Sequence, residues 1–371
     1  MALSLAALLV SGGKLRFPPI KLPLGLFFIG TAISMALSAH PWTGRPQIRK
    51  FFVYILLLII LSTIRSLPPV RGLVYAWALV GAGSSVRALV QLAQQWQDCR
   101  ESYDCLVGER ITGFMSHWMT FGGQLMMVFV MLLAFLLWAP PPRRFAALLW
   151  AAVPLMAAAL YANGTRSIWL ATASGAMYLA WFWKRWLVVL APVVVAVLLL
   201  AGPEYLRQRV TSIWKPHGEA DSNAHRIVAW RTGWRMIRAH PLFGVGPEHV
   251  ASEFSNYVPE DIKKVPTGWY GHLHNIYIHY AAERGVPTML VLMWMLGKIL
   301  FDFASALRRT GPGPGEAKYI LHGAIAATIS VLVGGVFELN LGDSEVLMLF
   351  LAMVGCGYVA VENVNKEPAA G

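Results

Sequence analysis

Long apolar stretches return throughout this chain: residues 24–39, 51–64, 73–92, 118–138, 145–162, 168–183, 186–202, 276–307, 319–337 and 346–361 carry few charges or none. Several approach or exceed the ~18–20 residues that a helix needs to cross a bilayer. A backbone in lipid must satisfy its own hydrogen bonds, so these stretches are expected to be helices and not open sheet. Of the 371 residues, 57% are hydrophobic and 13% charged, and the charged share is about half that of an ordinary globular domain. The reading is all-α: a polytopic integral membrane protein of about 10–12 spans. The expected divisions are N-terminal membrane helices over 1–202, a large external loop with amphipathic helices over 203–273, and C-terminal membrane helices over 274–371.

Charge orients the chain. Arg65/Arg71, Arg143/Arg144, Lys184/Arg185 and Arg308/Arg309/Lys318 fall on one side when the helices alternate. That side is expected to be cytoplasmic, with 93–116, 163–166, 203–273 and 338–345 outside. The loop at Arg45–Lys50 is the one misfit. Residues 1–12 are short for a span and read as half of one, and without a basic start they are not expected to be a cleavable signal. The net charge of +12 lies largely in short inter-span loops, so it sets orientation and contacts membrane lipids; nucleic acid is rejected as a partner. Three cysteines make no disulfide framework. Cys99 and Cys105 share one acidic loop and can pair if it faces an oxidising compartment, whereas Cys356 reads as packing. No internal repeat is visible, which counts against a repeat-built transporter.

Polar chemistry concentrates where the loop 203–273 meets the apolar run that follows. Residues 272–288 bring together His272, His274, His279, Asn275 and two tyrosines. On a continuous helix His272 and His279 share a face, and His274 lies at another angle. Such imidazoles either move protons near neutral pH or anchor the helix at the interface. Arg166 sits in a tight external turn between two apolar helices. It either serves an anion, bidentately as a phosphate demands, or snorkels to the interface. Residues 225–238 read as an amphipathic helix with Arg231, Arg235 and Arg238 on one face, suited to anionic headgroups; Arg226 precedes that face and is harder to explain as a surface residue. Arg87, Arg110, His117 and Gln124 lie near the external halves of their helices, where hydrogen bonding explains each and a shared cationic pocket would explain them as a set. Gly244 and Gly246 follow no strand and precede no Lys-Ser/Thr, so a phosphate-binding P-loop is rejected. No acidic pair has the spacing expected for a divalent metal with pyrophosphate, so neither metal nor cofactor is expected; Glu260-Asp261 is only a weak candidate.

Three segments together resemble the O-antigen ligase and polymerase family of bacterial membrane proteins. The ligase branch has His, then Asn/Ser/Gln, nine residues, Gly, two residues, then Gly/Thr/Tyr; His274-Asn275, Gly285 and Thr288 match every fixed position. Arg226 with Trp230, Met236-Ile237, His240-Pro241 and 244–247 looks like the family's preceding loop segment, and 164–167 like its arginine turn. The resemblance covers about 108–300. It implies a GT-C-like, inverting, metal-independent glycosyltransferase of the inner membrane with its site on the periplasmic side. Its donor would be a glycan on undecaprenyl pyrophosphate and its acceptor a sugar hydroxyl of lipid A–core. His274 would be the base. Arg166 and Arg226 would stabilise the pyrophosphate, with Arg231 and Arg87 behind them. Asn275 would orient His274 or bind the acceptor, and His272 and His279 would stand behind. The alternatives, in order, are O-antigen polymerase, protein O-oligosaccharyltransferase, and a transporter of lipid-linked oligosaccharide.

Overall fold

The computed structural model describes residues 14–100, 103–139, 143–201, 204, 207–208, 222–266, 270–311 and 313–366. The expected half-span at 1–12 and the loop residues 209–221 lie outside them. The described residues are helical with no strand, and seven helices are long and apolar enough to cross a membrane. The chain is an all-α, multi-pass membrane protein. Three expected spans fall short among these residues. Helix α1, Lys21–Leu37, has 17 residues. The stretch 186–202 breaks into Trp186–Val189 and Ala191–Ala201, because Pro192 has no N–H and disfavours helix in the residue before it. The stretch 168–183 forms a helix, Arg166–Trp183, but it is not among the seven. Another span is longer than expected: 73–92 extends to Pro68–Asp98, since Pro68 and Pro69 suit a first turn and 93–98 is rich in good helix formers.

The described residues form two compact units. The first comprises Met1–Ser62, Ile213–Phe301 and Gly335–Leu351; the second comprises Thr63–Ser212, Asp302–Gly334 and Ala352–Gly371.

In the second unit, α3 (Pro68–Asp98), α6 (Arg143–Ala162) and α7 (Arg166–Trp183) pack on α5 (Trp118–Trp138). Helix α5 is apolar all round, from Met126 to Leu132 without a polar side chain, and is buried accordingly. Tight approach depends on small residues, as it must where lipid supplies no hydrophobic drive: a side chain at Gly81 would meet Met156 at 2.9 Å. Cys99, the residue after α3, forms a disulfide with Cys105 in the short helix Tyr103–Gly108.

The first unit contains α1, α2 (Arg45–Thr63), α10 (Ser222–Ala239), α11 (Val250–Tyr257) and the N-terminal part of α12 (Ile276–Leu307). The apolar side of α10, with Val228, Ala229, Met236 and Ile237, packs into a protein core with Phe254, Leu273, Ala281 and Ala282. Its opposite side carries exposed Arg231, Arg235 and Arg238. Helix α2 begins at Arg45, so Arg45 and Arg49, both exposed, lie in its first turns. Lys50 donates to Gly342 O (2.7 Å), and Gln47, 8% exposed, bonds Glu248 and Arg284. Lys50 and Gln47 thus bind other protein groups, and the exposed Arg45 and Arg49 leave the charge misfit standing.

Candidate functional site

The continuous helix expected across 272–288 does not form. Helix α12 starts at Ile276, and His272 and His274 precede it in irregular chain. Asn275 is the reason. Its Oδ1 accepts from the backbone N–H of Tyr277 and of Ile278, both at 2.9 Å, which caps the helix. Its Nδ2 donates to Val336 O at 2.8 Å. The amide therefore closes the helix and fastens it to the segment after α13 (Glu316–Gly335); it does not reach His274. His274 has φ 47°, a left-handed conformation that is uncommon outside glycine and concentrates at functional sites.

Glu338 gathers the histidines. His274 Nδ1 lies 3.3 Å from Glu338 Oε2, and His272 Nε2 lies 3.6 Å from Oε1. Arg226, on α10, donates Nε–H to Phe337 O at 3.2 Å. Trp230, one turn on, donates to His274 O at 3.4 Å. His225 stacks on Tyr270 at 4.1 Å and meets His274 edge-on at 5.1 Å. The structure thus joins His272, His274, Asn275 and Arg226 around residues 336–338, of which Glu338 had entered the sequence reading only as the first residue of the loop 338–345. An acid just past the end of an apolar helix was the signal that could have singled it out.

Electrostatics separate the groups. Burial holds His272 well below the ordinary imidazole range, to about 3, against the pull of Glu338. Burial works against the charge on Glu338 as well. The hydrogen bond with His274 and the electrostatic pull of His274, His272 and Arg226 outweigh it, and the carboxyl falls to about 2. His274 Nε2 is buried and has no hydrogen-bond partner among the described residues. An unpaired buried acceptor costs about 1–3 kcal/mol. One ligand atom from each of His272, His274 and Glu338 lies within 4.8 Å of the others, a spacing at which a divalent cation could be shared. The same holds for Cys99, Cys105 and Glu109, but the disulfide takes both sulfurs.

Each remaining candidate belongs to one of the two units. Arg231 pairs with Asp261 at 2.8 Å and Arg235 with Glu260 at 3.9 Å, so the acidic pair proposed as a weak metal site is engaged with α10. Arg87, Arg110, His117, Gln124 and Arg166 belong to the second unit. There Arg110 lies 5.1 Å from the centre of the Trp118 ring, and His117 stacks on the same ring at 4.0 Å and caps α5 through Met119 N. Arg87 is exposed and Gln124 half-buried. Arg166 begins α7 after a turn held by buried Asn163, which donates to Trp118 O at 3.1 Å.

The fixed glycine of the 274–288 motif has a structural basis. At Gly285 α12 breaks, with φ 81° and ψ 158°. Pro287 offers no N–H, and Val286 N turns to Pro241 O at 2.8 Å. The carbonyls of Ala282 and Glu283 then accept from Val245 N and Gly246 N, each at 2.9 Å. The Pro/Gly turn after α10 is bound to the break in α12 in this way.

Residues 151–293, which contain Arg166, Arg226 and the whole His274–Thr288 motif, match the family described as O-antigen ligase. No curated protein sequence matches the chain at a significant level.

Proposed function

We infer that this O-antigen ligase family membrane protein is a glycosyltransferase that moves a glycan from undecaprenyl pyrophosphate to a sugar hydroxyl of lipid A–core, with inversion and without a metal, on the periplasmic side of the inner membrane. One observation carries the reading: His274 presents a buried, unpartnered Nε2 from a strained backbone within the ligase motif. An attacking hydroxyl needs a base within hydrogen-bond reach. In the proposed step the hydroxyl oxygen bonds the anomeric carbon, its proton passes to His274 Nε2, and the bond to the pyrophosphate oxygen breaks. The electron pair leaves with undecaprenyl pyrophosphate, whose charge guanidinium groups can hold. Arg226 is favoured for that role by its place beside the histidines, and Arg166 is proposed for it on the resemblance alone. Arg231, paired with Asp261, and exposed Arg87 rank behind. Asn275 acts by holding the motif.

The test is transfer by purified protein given undecaprenyl-pyrophosphate glycan and lipid A–core in EDTA. Glycan appears on lipid A–core, and His274→Ala lowers turnover by about 10²–10⁴-fold while donor binding persists. Donor glycans that lengthen while the acceptor stays bare would make the protein a polymerase. Donor moved across the bilayer by His274→Ala, with no transfer by either protein, would make it a transporter. Activity abolished by EDTA and restored by zinc would assign His272, His274 and Glu338 to a cation.

A further inference from the structure

We propose that Glu338 is a positioning residue that holds His274 as the tautomer protonated on Nδ1, with the Nε2 lone pair turned to the reacting hydroxyl. The inference rests on His274 being the base and adds what sets its direction. An ionised carboxylate only accepts hydrogen bonds, so the nitrogen facing Glu338 Oε2 at 3.3 Å carries the proton. The other nitrogen is then the acceptor. That other nitrogen, Nε2, is the one without a partner among the described residues.

The carboxylate is itself held in place. Three consecutive residues, 336–338, are each engaged by the first unit's site: Val336 O by Asn275, Phe337 O by Arg226 and the Glu338 side chain by His274. The side chain of Glu338 is only 13% exposed. A buried carboxylate is costly unless well paired, and here its partners are the motif histidines. When Nε2 takes the proton, the imidazolium rests against a fixed negative charge, as in triads where an acid orients a histidine base.

The experiment compares kcat and KM for Glu338→Gln, Glu338→Asp, His274→Ala and the double variant His274→Ala/Glu338→Gln in the same transfer assay. Glu338→Gln is expected to lower kcat about 10²-fold at nearly unchanged KM, in protein that still melts above the assay temperature. Glu338→Asp, which keeps the charge, is expected to fall between Gln and the parent protein. Glu338→Gln is expected to cost nothing further in the His274→Ala background, since residues acting as one unit are not additive. Parental kcat in Glu338→Gln beside an inactive His274→Ala would overturn the inference and leave the base assignment standing. So would a full additional loss in the double variant, or a loss confined to KM and melting temperature. Full activity in His274→Ala would instead remove the reading on which the inference rests.

Discussion

At Gly285 the backbone lies in a region that only glycine enters readily, φ 81° with ψ 158°. A Cβ there would overlap the carbonyl of Leu242, which is backbone and cannot step aside. Gly244, at φ 70°, is pressed against Glu283 in the same way. Gly285→Ala is therefore expected to cost about 2–5 kcal/mol, combining the conformational penalty with overpacking. It should lower the melting temperature in detergent well beyond Gly25→Ala, whose Cβ would meet nothing within 4 Å. Equal melting temperatures for the two variants would refute this account of the break. The histidines show what a residue pattern conveys and what it does not. The motif marked His274 as the reactive imidazole; the spacing placed His272 and His279 on one helical face, whereas His272 lies ahead of the helix and His279 within it. His279 faces Glu283 at 3.4 Å, away from the Glu338 pairing of the other two.

Helix α12 depends on its first residues as well as its break. Asn275 supplies the cap and the tie to Val336 O. Asn275→Ala removes both and is expected to cost about 1–2 kcal/mol. Asn275→Ser keeps a cap acceptor and should recover most of that loss. Melting curves of the two variants check it, and a serine variant as unstable as the alanine one would show that the Val336 bond, not the cap, matters. Helix α10 was legible as amphipathic, with its arginines on one face. A period of 3.6 residues cannot tell whether the opposite face meets lipid or protein. The answer came from Leu273, Ala281 and Ala282, which arrive from more than thirty positions later in the chain to cover it.

For the first unit as a whole, the shifts at His272 and Glu338 make stability depend on pH in one direction. His272 is held at about 3 against 6.5 for a free imidazole. Between those values the unfolded chain binds a proton that the folded one refuses, so the contribution is complete above about 6.5 and falls as pH drops. Glu338, held at about 2 against 4.5, adds a further loss below about 4.5. The groups around them are His225, His274, His279 and Arg226. The melting temperature should decline steadily from pH 7 to 4, and His272→Gln should flatten the upper part of that decline. A flat profile in the parent protein over this range would contradict the assignment.

Apolar length and charge bias were enough to establish a multi-pass helical membrane protein, because in lipid a helix must satisfy its own backbone and each span is legible locally. The resemblance likewise marked His274, Asn275, Gly285 and Arg226, which all belong to the first unit. The pairing of His274 with Glu338, 64 residues apart, was beyond the sequence, as were the burial of α10 and the place of Lys50 and Gln47 in a polar network. These are contacts between distant segments, and a one-dimensional pattern records which residues can make a hydrogen bond or bury a face but not which partner the folded chain brings to them.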